Sequence, residues 1–273
     1  MAINWVDRVA THPGRVQLTP VQGQTNIYDM ERADEPTVAG TPVNAANLNA
    51  MQKNMGLDAN KTVYVAVSGS DSTGNGSSTA PYQTITKALS TIPKNLNGYL
   101  ATINIGAGTY NEGISLNGYN GGEIVFTGTL GDTISIKSIR LTESNNLRVV
   151  NINIAINGSG FTEDVFMRGS TMYCHTRITM SSAVAVGVFA TIGSTLYINE
   201  VTVSQKTESA IRAETGSTIT IQTIGGSNNE VGCRAVSGGT IYYGTYNMSA
   251  KLNYFTAVGG RIYSGSQTSI PNY

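Results

Sequence analysis

Two short stretches of the sequence place acidic and basic side chains at matching positions. The stretches ESAIR and EVGCR supply Glu208 with Arg212 and, one repeat later, Glu230 with Arg234. Cleaving a polysaccharide requires positioned carboxylates, either two about 5 to 9.5 Å apart or a base beside a group that neutralises a uronate. If the protein is an enzyme, these four residues are its candidate catalytic residues. The favoured alternative is an outward charge ladder, in which each pair contributes about a few tenths of a kcal/mol.

Glu163 and Asp164 form an isolated pair of adjacent acidic residues. Such an isolated pair is typical of a solvated turn, because carboxylates are almost never fully buried without a partner. We therefore expect both side chains to face water.

The end of the chain combines tyrosines with basic residues. Residues 231–273 contain no Asp or Glu, and six of the 14 tyrosines lie in residues 242–273. Tyrosine offers a flat face for stacking on sugars together with a hydroxyl group. The predicted ligand is a surface glycan or an anionic wall polymer. The candidate binding residues are Tyr242, Tyr246, Tyr263, Arg261 and Lys251.

An alternative reading of the same tyrosines is structural. They would cap the last coil or pack between protomers, which is the expectation for Tyr243 and Tyr254 because these two occupy inward positions.

Composition narrows the class of protein. The formal net charge is zero, with 17 basic and 17 acidic residues, so nothing indicates nucleic-acid binding. The 31 glycines show no collagen period, and with alternating β-branched residues they are typical of an all-β protein. No segment approaches the roughly 18 apolar residues of a membrane span, and the N-terminus lacks the apolar core of a signal peptide. We expect synthesis in the cytoplasm and no membrane insertion.

An internal repeat predicts the fold. The motif GST or GG-x followed by an apolar residue occurs five times, and its apolar residue can be followed further upstream. The apolar residues are spaced 21–25 residues apart, and such a period indicates stacked supersecondary units. A second apolar position lies two residues further on, so each unit contains a short strand with one buried face. We predict a single-stranded right-handed parallel β-helix of about eight coils over residues 100–265. The first apolar residues of the repeat are Ile103, Ile124, Leu147, Met172, Leu196, Ile219, Ile241 and Ile262.

A second phase of the repeat precedes the later motifs by eight residues, at Val188, Ile211, Cys233 and Tyr254. Alanine recurs two residues after it, so each coil contains at least two strands. The chain has only two cysteines, and Cys174 and Cys233 lie at inward positions of different coils, which predicts buried free thiols. His175 should face outward. With only two histidines in the chain, we expect no metal site and no cofactor.

The stretch APYQTITKALSTIP, residues 80–93, precedes the coils. Ile85, Leu89 and Ile92 fall on one face of a short helix over about residues 81–92. Because an open strand edge invites aggregation, we expect this helix to cap the first coil.

The region around this helix resembles the opening of pectin-lyase-like β-helix proteins. In these proteins a strand, a Gly/Asp/Ser loop, a capping helix and a G-x-Y-x-E motif lead into the coils. The resemblance covers about residues 61–273 and implies the fold but no particular activity. The matching residues are Val65, Gly69, Asp71, Gly76, Pro81, Ile85, Ala88, Leu89, Gly108, Tyr110 and Glu112.

The N-terminal residues 1–57 are similar instead to the start of tail fibre and receptor-binding proteins of phages and prophage-derived particles of Gram-positive bacteria. The most specific part is GTPVNAANLNAMQ, residues 40–52, which predicts a helix with Leu48, Met51 and Met55 on one face. The resemblance implies a mostly extended segment that joins the particle and a homotrimer in which this apolar face is buried. The alternative is a local subdomain folded back on the β-helix.

Together these patterns predict an attachment and trimerisation segment over residues 1–57 and a β-helix over residues 58–273. The expected function is that of a tail fibre or receptor-binding protein, which attaches to a tail or baseplate protein and binds a host cell-surface polysaccharide. It would be assembled on the virion or tailocin and released by lysis. The alternatives are a tailspike depolymerase, which would cleave the glycan, and a baseplate protein that binds nothing on the host.

Overall fold

The structure is a computed structural model, and it describes residues 9–10, 16–23, 25, 27–32, 36–38, 56–158 and 160–265. The chain divides into two compact units, Met1–Met55 and Gly56–Tyr273. Leu48, Met51 and Met55 of the predicted helix lie outside the described residues.

The described part of the N-terminal unit consists of two antiparallel strand pairs. The first joins β1 to β4, and the second joins β2 to β3. These strands are β1 (Val9–Ala10), β2 (Val16–Pro20), β3 (Tyr28–Arg32) and β4 (Pro36–Val38).

The second unit is a right-handed parallel β-helix of about seven turns. One short helix, α1 (Ile85–Ser90), follows its first strand. The strands are β5 (Lys61–Val65), β6 (Leu100–Ile105), β7 (Gly108–Thr109), β8 (Ile114–Asn117), β9 (Glu123–Thr127), β10 (Asp132–Ile136), β11 (Ile139–Thr142), β12 (Leu147–Val149), β13 (Ile152–Ile156), β14 (Glu163–Arg168), β15 (Thr171–Met180), β16 (Val186–Thr191), β17 (Thr195–Val203), β18 (Ser209–Ala213), β19 (Thr218–Val236), β20 (Thr240–Ala257) and β21 (Arg261–Ser264).

The strands stack into three faces. The first face contains β5, β6, β9 and β12, the first parts of β15, β17, β19 and β20, and finally β21. The second face contains β7, β10 and β13, followed by the middle or later parts of β15, β17, β19 and β20. The third face contains β8, β11, β14, β16 and β18 and the last parts of β19 and β20. The sequence predicts about eight coils, and the difference arises because β21 only begins a further turn.

The register of the first face confirms the sequence repeat with one exception. Ile124 pairs with Leu147, and the remaining repeat residues pair in turn up to Ile241 with Ile262. Ile103, however, pairs with Phe126, and Ala101 is the partner of Ile124. Both Ala101 and Ile103 face inward on β6, so the alternating pattern alone does not separate the two registers.

The second phase of the repeat is confirmed on the third face. Val188, Ile211, Cys233 and Tyr254 pair in succession, as do the alanines that follow the first three. Cys174 and Cys233 are buried free thiols, as predicted. Burial raises the pKa of Cys233 to about 12. The thiols therefore fill the core as small apolar groups.

Helix α1 closes the start of the β-helix through buried Ile85, Ala88 and Leu89. Thr84 is its N-cap, and the Thr84 hydroxyl accepts a hydrogen bond from Lys87 N at 3.0 Å. The helix is shorter than the predicted 81–92, because Tyr82 instead forms a parallel bridge with Val65.

Two carboxylates hold the start of this helix. Asp71 accepts hydrogen bonds from Gln83 N and Thr84 N, and Glu112 accepts from Ile85 N and Thr86 N. Burial alone would raise the pKa of Asp71, but the hydrogen bonds from Thr84 and Gln83 lower it below its usual value. Asp71 and Glu112, both part of the pectin-lyase-like resemblance, thus have a structural role.

A serine recurs at the turn between the third and first faces, and three of these serines belong to GST motifs. We call this turn the serine corner (Ser144, Ser170, Ser194 and Ser217). Each serine hydroxyl accepts a hydrogen bond from a backbone N–H one coil earlier, for example Ser170 N to Ser194 Oγ at 3.2 Å. All four serines are buried. In the next coil Gly239 takes this position, and a Cβ there would lie 2.2 Å from Ala213 O. The ladder therefore ends where the motif changes from GST to GGT.

No helix in the described ranges is both long enough and apolar enough to span a membrane.

Candidate ligand-binding surface

The outer side of the third face carries a continuous column of aromatic and guanidinium groups, which we call the arginine–phenylalanine face. Its members pair in register on six successive coils, so the column is about 24 Å long at a strand spacing of about 4.8 Å. They are Arg140, Phe166, Phe189, Arg212, Arg234 and Phe255.

The guanidinium groups lie against the rings. Arg140 Cζ is 4.1 Å from the centroid of the Phe161 ring and 4.6 Å from that of Phe166. Arg212 Cζ is 4.8 Å from the Phe189 centroid, and Arg234 Cζ is 5.0 Å from that of Phe255. The rings of Phe166 and Phe189 meet edge to face at 5.7 Å. These cation–π and aromatic contacts hold the side chains in fixed positions.

The column nonetheless leaves aromatic surface open to solvent. Phe161 is 51% exposed and Phe255 is 38% exposed. Phe166 and Phe189 are half-buried. The face therefore offers ring surface to a ligand without a change in conformation.

Acidic residues balance the charge of this face. Glu163 pairs with Arg140 at 3.2 Å, and Glu214 pairs with Arg212 at 2.5 Å. Glu208 lies between two coils and contacts both Arg212, at 2.5 Å, and Arg234, at 3.1 Å. Three arginines meet three glutamates, so the face is close to neutral and presents both hydrogen-bond donors and acceptors.

The four candidate catalytic residues are partly brought together. Arg212 and Arg234 pair in register, and Glu208 bridges them. Glu230 stands apart from this cluster and pairs with Lys251 at 2.6 Å. Glu208 and Glu230 are thus paired with different cations.

The expectation for Asp164 was wrong, because its side chain is fully buried. Lys206 Nζ lies 2.7 Å from Asp164 Oδ2, and neither side chain is exposed at all. The Ser182 hydroxyl donates to Asp164 Oδ1, and Lys206 Nζ donates to Ser182 O. The carboxylate is inside because Asp164 stands where the following coils place the small buried residues Gly187 and Ala210.

Burial acts on both members of this pair. It raises the pKa of Asp164 and lowers the pKa of Lys206, against the opposing effect of their mutual contact. Sequence reasoning did not find Lys206, because nothing in its neighbourhood distinguishes it from an exposed lysine.

A groove lies at the corner between the second and third faces, next to this pair. Residues 205–207, 228–230 and 249–251, from three successive coils, line a cavity of 640 Å³. We call it the corner groove. It brings together Glu230 and Lys251, which the sequence predicts for two different roles.

The five predicted glycan-binding residues are divided among three places. Tyr242 and Tyr263 stack on the outside of the first face with ring centroids 5.2 Å apart, and Arg261 shares that outer side. Lys251 lies at the corner groove. Tyr246 packs against the core beside Tyr243 and Tyr254 at the end of the β-helix, and burial raises its pKa. The structure therefore separates Tyr246 from the stacked pair.

The imidazole of His175 lies half-buried, 5.9 Å from the Tyr197 ring. Burial and the nearby Arg148 lower its pKa. Across the described ranges, no three His, Cys, Asp or Glu side chains form a group that could hold a metal ion.

The sequence analysis found Arg212 and Arg234 of this face but not its phenylalanines or Arg140. Aligning the residues seven places before each repeat residue would have shown Arg140, Phe189, Arg212, Arg234 and Phe255 as one column. Only Phe166 departs from it, since it lies six places before Met172.

A family described as "Protein of unknown function (DUF1565)" matches residues 67–117 of the chain. The matched region contains helix α1 and the first coil up to β8, and together with the fold it is consistent with a β-helix protein family. Comparisons with curated proteins and with solved structures gave no match.

Proposed function

We propose that the protein is an adhesion protein of a phage or phage-tail-like particle, which binds a host cell-surface glycan through its β-helix. The observation that carries the binding function is the arginine–phenylalanine face. The particle assignment is supported by the similarity of residues 1–57 to the start of tail fibre proteins. In this proposal the N-terminal unit attaches to a tail or baseplate protein and the chain forms a homotrimer.

The composition of the face suits a glycan. Aromatic rings stack on the apolar sides of sugar rings, and the alternating arginines and glutamates supply donors and acceptors for hydroxyl groups. The ion pairs fix these groups before the ligand arrives, which reduces the entropic cost of binding.

The repeat of the face favours a linear polymer that runs along the β-helix. Rungs about 4.8 Å apart present similar groups to successive parts of the ligand. Several weak contacts of this kind gain avidity when three chains of a fibre, and several fibres, bind together.

The acids of the face support binding rather than cleavage. A glycosidase needs a carboxyl group that is protonated near neutral pH beside one that is ionised. Glu163, Glu208 and Glu214 are instead each held in an ion pair with an arginine.

The test measures binding of the full chain to cell-envelope polysaccharides from a panel of Gram-positive bacteria. We expect Phe166→Ala/Phe189→Ala to weaken binding about tenfold or more, because two stacking rings are lost. The matched control is Thr179→Ala/Thr202→Ala, two outward threonines paired in register on the second face. Equal affinity of wild type and the phenylalanine variant would overturn this role of the face.

Two further measurements separate the remaining alternatives. New reducing ends released by wild type but not by Glu208→Gln would show a depolymerase. A solution mass near the 28.8 kDa of one chain would count against the trimer, whereas about three times that mass supports it.

A further inference from the structure

The corner groove contains polar side chains that the protein itself does not use. Among the described residues, the side chains of Gln205, Thr207, Asn228 and Ser249 have no hydrogen-bond partner within the protein. Two amides and two hydroxyls provide donors and acceptors in nearly equal number. The groove is therefore equipped for a ligand rich in hydroxyl groups.

The floor of the groove is fixed by a buried amide. Asn229 Nδ2 donates to Val203 O at 2.8 Å, and Lys206 N donates to Asn229 Oδ1 at 3.0 Å. Glu230 N donates to Lys206 O at 2.9 Å, which joins the same two coils again. Neighbouring segments of the groove are thereby locked to each other.

The side chain of Lys206 anchors this floor to earlier coils. It runs past Gly187, where a Cβ would lie 3.4 Å from Lys206 Cε, and ends on Asp164 and Ser182. Burying such a pair carries a large desolvation cost, and hydrophobic residues of similar size would often be at least as stable. A rigid groove floor is a benefit that a purely apolar corner would not give.

The charge of the groove is balanced. Glu230 and Lys251 pair with each other at its rim, and the charge of Lys206 is neutralised by Asp164 beneath the floor. A polyanion would meet Glu230 and a polycation would meet Lys251, so neither sign of charge is favoured.

We propose that the corner groove is a preformed binding site for an uncharged segment of a saccharide. The proposal deepens the glycan-binding function above and rests on it. The contacts would come from Gln205, Thr207 and Asn228, and the Glu230–Lys251 pair would hydrogen-bond to further hydroxyl groups.

A second cavity provides the matched control. Residues at the corner between the first and second faces, including Asn199, line a cavity of 240 Å³. Three of its polar side chains are already engaged, since Arg177 pairs with Glu200 at 2.9 Å and Arg177 N donates to Asn153 Oδ1 at 3.2 Å.

The experiment titrates the ¹⁵N-labelled full chain with chitotetraose, cellotetraose and maltotetraose, and with tetragalacturonate and tetraglucosamine as charged probes. We expect a neutral tetrasaccharide to shift the side-chain amide signals of Gln205 and Asn228. Thr207→Ala/Asn228→Ala should weaken that binding about tenfold, as lost hydrogen bonds predict, while Asn199→Ala changes it less than about twofold. Tighter binding of a charged probe, or shifts that avoid the groove, would overturn the proposal.

The same two variants are then compared on the cell-envelope polysaccharides. Wild-type binding that persists unchanged in Thr207→Ala/Asn228→Ala removes the groove from the function and leaves the arginine–phenylalanine face in place. A chain that binds neutral tetrasaccharides in the groove but no envelope polysaccharide keeps the site and contradicts the adhesion function.

Discussion

The serine corner and the corner groove satisfy buried polar groups in different ways. Both are turns between faces, and both place polar groups inside the β-helix. The serine corner repeats one small neutral residue coil after coil, and each hydroxyl serves the coil before it. At the corner groove the residue types differ from coil to coil, and they include a buried ion pair, a buried amide and exposed polar side chains.

The two corners differ in what it costs to bury their polar groups. In the serine corner each of these buried N–H groups donates to the serine hydroxyl of the next coil, so the repeated residue satisfies the backbone without any charged group. The groove corner departs from the repeat and holds charges whose burial is costly. The saccharide site that we propose in the corner groove therefore lies where the repeat is broken, whereas the arginine–phenylalanine face follows the repeat.

The largest expected effect is at the buried pair. Lys206→Met should lower the free energy of unfolding by about 3 to 5 kcal/mol, because Asp164 is left without its partner in the core. The double variant Asp164→Leu/Lys206→Met should recover most of this loss. Urea denaturation followed by circular dichroism measures both. A loss below about 1 kcal/mol in the single variant would contradict the importance of the pair.

The glycines of the two corners should respond differently. Gly187→Ala brings a Cβ to 2.5 Å from Ala210 O on the third face, next to the Lys206 side chain that supports the corner groove, and we expect a loss of about 2 to 3 kcal/mol from overpacking. Gly193, next to the serine corner, has open space around it and a φ of +67°. Its substitution should cost only about 1 kcal/mol, and Asn should be tolerated better than Ala. Similar losses of unfolding free energy at Gly187 and Gly193 would contradict the expected difference between the two corners.

A single serine should cost less than the ion pair. Ser194→Ala removes the acceptor for Ser170 N, and the buried N–H that remains should lower the free energy of unfolding by about 1 to 2 kcal/mol. Exposed Ser264 is the control position for the same substitution. If Ser194→Ala lowered the free energy of unfolding as much as Lys206→Met does, the two corners would contribute equally to stability.

The smallest predicted effect is a gain at Val258, in the last-coil turn that corresponds to the turns preceding the serines of the serine corner. Val258 has a φ of +48° and is 80% exposed, although β-branched residues rarely adopt this conformation. Val258→Asn should raise the free energy of unfolding by about 1 kcal/mol. Leu130→Asn is the matched control, since Leu130 is equally exposed on ordinary backbone. A gain at Leu130 as well would point to lost surface hydrophobicity rather than relieved strain.

Much of the fold was predictable because strand register follows periodicity. The pairing of Leu147, Met172 and Leu196 could be inferred from the spacing of the motif alone. The error at Ile103 shows the limit, since a shift of two residues keeps the same face inward. The candidate surface was predictable only in part: Arg212 and Arg234 were found, but the phenylalanines on the coils before and after them were not.

The sequence by itself determined the parallel β-helix, its capping helix and its buried thiols, because apolar residues at a regular period are buried together when the coils stack in parallel. Only the tertiary structure decided which polar residues lie inside and which outward residues become neighbours. Asp164 and Lys206 belong to different coils, and the lengths of the intervening turns vary. Their meeting therefore depends on how the corners fold, and the period of the strands does not encode that.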